Sequence, residues 1–157
     1  MNHHSLEEIS TPRRVRTREL QAPRVLLTAS DHHELSLALA AVQKLGARRP
    51  GELRALQDKL GRAVVVHAPD LPEDAITMNS CAELIDLTTN ERLKLTLVYP
   101  VDANLEAGRI SVLDPLGTAM LGHRVGDRFE WNVPYAVRRL KVTAVRFQPE
   151  AALALAA

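Results

Sequence analysis

The stretch Gly108-Arg-Ile-Ser-Val-Leu-Asp-Pro-Leu-Gly-Thr-Ala-Met-Leu-Gly-His-Arg-Val-Gly-Asp-Arg-Phe-Glu-Trp131 decides how this chain folds. Ile110, Ser111 and Val112 read as a short strand. Asp114-Pro115 then turns the chain, because proline fixes its own φ and drives the preceding residue out of the helical region. Residues 116–121 suffice for one helical turn or slightly more. Gly122 closes that turn, since glycine enters the left-handed conformation without steric cost. Val125-Gly126-Asp127 is a second tight turn, feeding a strand over residues 128–133. The pattern predicts a protruding knuckle on a small sheet.

Outward from the knuckle, the period is two. Leu93, Leu95, Leu97 and Tyr99 alternate with Lys94 and Thr96, and Leu140, Val142 and Ala144 alternate with Lys141 and Thr143. Strands are expected at 76–79, 82–87, 92–99, 128–133 and 136–147, with a polar turn at 88–91. Before residue 68 the period is helical. Leu35, Leu39, Val42 and Leu45 form one stripe, and Leu53, Leu56, Leu60 and Val64 form another. Ser30 and Asp31, with Glu34 three residues after Asp31, suggest a capping box, and Gly46 a stop. Pro50 suits the start of a second helix. That helix is expected to run to about Val66, although Val64-Val65-Val66 alone also reads as a strand. The fold class is α+β: an antiparallel helical hairpin, or short coiled coil, before an antiparallel half-barrel with one short helix. The divisions are a basic arm at 1–23, the hairpin at 24–68, a Pro- and acid-rich linker at 69–74, the sheet domain at 75–150 and a frayed tail at 151–157.

Composition bounds the function. The chain has 157 residues, enough for a real core, and its 3% aromatic content means a core of Leu, Val, Ile and Ala. A net charge of +1 neither forces nor forbids a nucleic-acid partner. Arg13, Arg14, Arg16 and Arg18, without interleaved aromatics, allow at most a weak or indirect contact with nucleic acid through the arm. The single Cys81 excludes an internal disulfide and reads as a small apolar filler in a reducing compartment. No apolar run has membrane-spanning length, and no apolar segment follows Arg13-Arg14 as an export signal requires. A cytoplasmic monomer is expected. His32 and His33 are adjacent, so they make a poor metal pair and read as solvated. His67 and His123 sit in or beside turns. No nucleophile elbow, phosphate loop or metal-binding motif occurs, so neither enzyme activity nor a cofactor is expected.

Ser111-Val-Leu-Asp-Pro-Leu-Gly-Thr-Ala-Met-Leu-Gly-His-Arg-Val-Gly-Asp127 resembles the C-terminal domain of the Gre transcript-cleavage factors. Asp74-Ala-Ile-Thr-Met-Asn-Ser80, Leu97-Val-Tyr-Pro100 and Gln148-Pro-Glu-Ala151 bring it nearer to the related regulators of nucleoside diphosphate kinase. The resemblance implies an FKBP-like fold and RNA polymerase as partner. It implies that Leu113, Asp114, Pro115 and Leu116 grip the rim of the polymerase secondary channel while the hairpin points into it. An exposed Leu116 stiffened by Pro115 would lose little entropy on docking. Gre factors carry two carboxylates at the hairpin tip that help hold a catalytic metal, whereas this tip offers Arg48, Arg49 and Glu52. Cations repel a divalent metal that needs anionic oxygens. The expectation is a polymerase-binding regulator that competes with Gre factors without transcript cleavage. Two alternatives stand: an active cleavage factor, and a prolyl isomerase built on Tyr99, Phe129, Trp131, Tyr135 and Phe147.

Overall fold

The computed structural model describes residues 24–46 and 50–156. Strand β1 (Leu26–Leu27) leads into helix α1 (Ala29–Leu45), and helix α2 (Pro50–Arg62) returns to strand β2 (Val64–Val65). Thr28, rather than Ser30 or Asp31, caps α1: its hydroxyl accepts from the Asp31 amide at 3.2 Å. Gly46 ends α1 in the left-handed conformation at φ 64°. The second helix stops short of Val66. Val64 and Val65 instead pair in parallel with Leu26 and Leu27, so the valines choose the extended state that suits their branched Cβ and close the hairpin's base. Leu35, Leu39, Leu53, Leu56 and Leu60 are buried, while Leu45, in the last turn of α1, is exposed.

The sheet is mixed and curls into a half-barrel. Its strands are β3 (Cys81–Asp86), β4 (Arg92–Val98), β5 (Arg109–Ser111), β6 (Arg128–Val133) and β7 (Ala136–Phe147). Their order is β5-β4-β3-β7-β6, with β4 and β5 parallel and the other pairs antiparallel. Ala82, Leu84, Leu97, Leu140 and Val142 fill the inner face. Helix α3 (Pro115–Met120) lies between β5 and β6, and helix α4 (Pro149–Ala156) ends the chain.

Two expectations fail here. Residues 76–79 form no strand: Ile76 exchanges backbone hydrogen bonds with Gly122 and His123 instead, and Asn79 turns the chain at φ 67°. Nor do residues 151–156 fray. Gln148, buried, donates from Nε2 to the Pro72 and Ala75 carbonyls, and Glu150 accepts from the Thr77 hydroxyl at 2.7 Å. One continuous apolar core joins Leu35, Leu39, Leu53, Leu56 and Leu60 of the hairpin to the inner sheet face. Residues 69–74 therefore mark a change of secondary structure, not a gap in packing.

Candidate partner-binding site

The loop that joins β5 to α3 is built from the inside outward. The Leu113 amide bonds to the Ser111 hydroxyl at 3.0 Å, and the Asp114 amide bonds to the Ser111 carbonyl at 3.0 Å. Thr118 locks the other side, its amide reaching the Asp114 carbonyl and its hydroxyl donating to the Val112 carbonyl at 2.6 Å. Gly117 sits where a Cβ would come within 2.0 Å of the Ser111 carbonyl oxygen, so no other residue fits. Pro115 occupies the first helical position, where its missing N–H costs nothing.

The knuckle does not protrude as expected. Leu113 and Leu116 are 2% and 5% exposed and belong to the core. The apolar pair therefore holds the loop down. What it offers outward is Pro115, exposed, and Asp114, half-buried. The reason is that residues 110–113 are buried without a break, and the turn into α3 brings Leu116 back to the same core as Leu113.

The hairpin is clamped onto this loop by a residue the sequence pattern did not mark. Lys59 Nζ on α2 donates to the carbonyls of Thr118, Ala119 and Leu121, at 2.8, 3.1 and 2.7 Å. These lie at the C-terminal end of α3, where unsatisfied carbonyls and the helix dipole both favour a cation. Burial pulls the Lys59 ammonium down to about 8, and Arg62 adds to the shift. Next to it, His123 stacks on Phe129 with ring centroids 4.7 Å apart and reaches Asp127 at 3.4 Å. Burial, then Lys59, keeps the imidazole below its ordinary range, so it is a packed, neutral ring.

At the hairpin's base, the Tyr99 hydroxyl donates to Asp31 at 3.0 Å. Burial raises both groups, with Glu150 and Glu34 adding to each. His32 is not simply solvated, since its Nε2 lies 3.2 Å from the Leu60 carbonyl. Signals existed for some of these contacts: a glycine inside a helical turn points to close approach, and a lysine beside an apolar stripe points to a buried stem.

Arg48 and Arg49 lie outside the described residues, as does the side chain of Glu52. Among the described residues no group of three or more His, Cys, Asp or Glu is arranged to hold a metal ion. The five aromatics do not converge. Tyr99 is tied to Asp31, Trp131 lies under Arg138, and Tyr135 is fully exposed at the β6–β7 turn. Phe129 borders a groove of about 450 Å³ whose lining holds no second aromatic. No helix among the described residues is long and apolar enough to cross a membrane.

Residues 71–147 match the family described as transcription elongation factor, GreA/GreB, C-terminal domain. Over 99 residues the chain is 39% identical to the regulator of nucleoside diphosphate kinase of Escherichia coli (strain K12), covering 62% of this chain and 73% of that protein. The chain belongs to the Gre family. It is also 34% identical over 122 residues to a transcription inhibitor protein of Thermus thermophilus, 76% of each chain. Among solved structures, the prokaryotic transcription elongation factor GreA/GreB from Nitrosomonas europaea matches with a TM-score of 0.67 at 32% identity, over 80% of this chain and all of that one. The Gre likeness thus takes in the hairpin as well as the sheet.

Proposed function

We propose that this Gre-family chain is a transcription regulator that binds RNA polymerase at the rim of its secondary channel, competes there with cleavage-stimulating relatives, and does not itself promote cleavage. The observation that carries the reading is the loop at residues 113–116. It lies within the matched family segment, and its buried leucines and packed Gly117 hold Asp114 and Pro115 in one conformation. A contact surface ordered before binding loses little entropy on docking.

Absence of cleavage rests on the hairpin. Its helices have 17 and 13 residues, lengths of about 25 and 20 Å. The tip sequence supplies Arg48 and Arg49 with one nearby carboxylate, Glu52. A divalent cation favours anionic oxygen ligands, so this tip is a poor place to hold one. The relative named as a transcription inhibitor agrees with such a role. In this reading the hairpin at 24–68 is the finger and residues 75–150 are the grip.

The test adds the protein to stalled elongation complexes of core polymerase. The protein should co-elute with polymerase, leave the RNA length unchanged, and slow shortening by an added cleavage factor. RNA shortened by this protein alone would establish the active-factor alternative. Failure to bind polymerase would remove the reading altogether.

A further inference from the structure

The outer face of the sheet is strongly one-signed. Ala82, Leu84, Leu140 and Val142 point inward, so their neighbours along β3 and β7 point out. Register partners extend this face across four strands: Arg128 on β6 opposes Lys141 on β7, Lys141 opposes Ile85 on β3, and Ile85 opposes Arg92 on β4. Lys94 and, past a β-bulge, Ala144 both oppose outward Glu83, Arg139 stands opposite Glu130, and Arg146 reaches Glu83, so all of these lie on the same face. Against these six cations stand Glu83, paired with Arg146 at 2.5 Å, and Glu130, 3.8 Å from Arg139. Arg92, Lys94, Arg128 and Lys141 have no ion-pair partner among the described residues. The whole chain nearly balances its charges, with 20 Lys and Arg against 19 Asp and Glu, whereas this face holds six cations against two carboxylates.

Folding does not explain this arrangement. Arg128 and Lys141 are direct cross-strand neighbours of like charge, a pairing that costs stability. The row from Arg128 to Arg92 spans about 15 Å at the spacing of strands in a sheet. Two grooves open on the face, one of about 250 Å³ beside Arg92, Lys94 and Arg146 and one of about 450 Å³ beside Arg128 and Arg139.

We infer that the outer sheet face binds the phosphate backbone of duplex DNA without reading its sequence. Charge complementarity selects a polyanion. A specific protein partner would want an apolar centre with aromatic anchors, and the centre here is Ile85 and Ala144. Single-stranded nucleic acid is held largely by base stacking on aromatics, and the nearest exposed one, Phe147, stands at the end of β7. A face of short cationic rows enters no groove, so it meets phosphates and not base edges. This inference does not depend on polymerase binding.

The test is fluorescence anisotropy of a duplex of about 20 base pairs of mixed sequence, titrated with the full chain over a range of salt, no polymerase being present. The logarithm of affinity should fall linearly with the logarithm of salt, with a slope of about −3 to −4 for four phosphate contacts. Arg128→Glu separates the inference from a folding effect. It places opposite charges across from each other, so the melting temperature should hold or rise while DNA binding weakens at least ~fivefold and the slope flattens by about 1. The pair Arg92→Glu and Lys94→Glu should weaken binding at least ~tenfold. Unchanged affinity and slope in these variants would overturn the inference. So would tighter binding of polyglutamate, or of single-stranded RNA of the same length, than of the duplex.

Discussion

Two surfaces of one domain present opposite kinds of chemistry. The loop at residues 113–116 shows solvent only Asp114 and Pro115, and everything behind them is buried and hydrogen-bonded. The outer sheet face shows a row of cations with no apolar anchor behind them. The first surface is specified by packing, so its function and its stability are hard to separate by mutation. The second is specified by charge, and its side chains can change with little effect on the core. A partner gripped at the first is recognised by shape, and one held at the second is sensitive to salt.

The comparison breaks most sharply at Gly117. Gly117→Ala pushes a methyl into the Ser111 carbonyl and should destabilise the fold by about 3 kcal/mol, against less than about 1 for Pro115→Ala two residues away. Thermal melts of the two variants check this. Leu116→Ala belongs with the first group, at about 3 kcal/mol, and Leu116→Asp should prevent folding. A docking test that uses that aspartate would report on the core and not on the partner.

Next in size is Lys59→Met, which removes three hydrogen bonds between hairpin and loop and should cost about 2 kcal/mol. Its pH dependence sharpens the point. The lysine titrates near 8 in the fold and near its ordinary 10.5 when unfolded, so between these values the unfolded chain binds more protons. Stability of the native protein relative to Lys59→Met should therefore rise with pH from about 8 to 10.5, by on the order of 1 kcal/mol. A difference that falls over this window would contradict the buried clamp.

The smallest effect lies at the β6–β7 turn. Tyr135 holds φ 66° with its side chain fully exposed. Tyr135→Gly should raise stability by up to about 1 kcal/mol in a chemical melt, since only the backbone strain changes.

Much of the fold was legible because its signals are local. Strands β6 and β7 fall where alternation predicted them, and Gly46 and Pro50 bound the helices as such residues do. The errors share a cause. Val64–Val65 became a strand because Leu26–Leu27 lies alongside it, and residues 76–79 left the sheet because Gly122 and His123 take their backbone bonds. Helix α4 persists because Thr77 and the carbonyls of Pro72 and Ala75 tie it down. In each case the deciding partner is remote in sequence. At the candidate site, Pro115 gave the turn, but whether Leu116 faced outward or inward depended on the core beneath it. Gly117 in a helical turn and Lys59 beside an apolar stripe were visible as types, but their partners, the Ser111 carbonyl and the end of α3, are set by the tertiary fold.

The central claim is that the rigid Asp114–Pro115 surface grips RNA polymerase. The direct measurement is the affinity of core polymerase for the intact chain and for the double variant Asp114→Ser and Pro115→Lys. The Asp114 side chain makes no capping hydrogen bond and the buried leucines are kept, so this variant should melt within a few degrees of the parent. The account predicts binding weakened at least ~tenfold, a loss of about 1.4 kcal/mol or more. Equal affinity of the folded variant and the parent would contradict it.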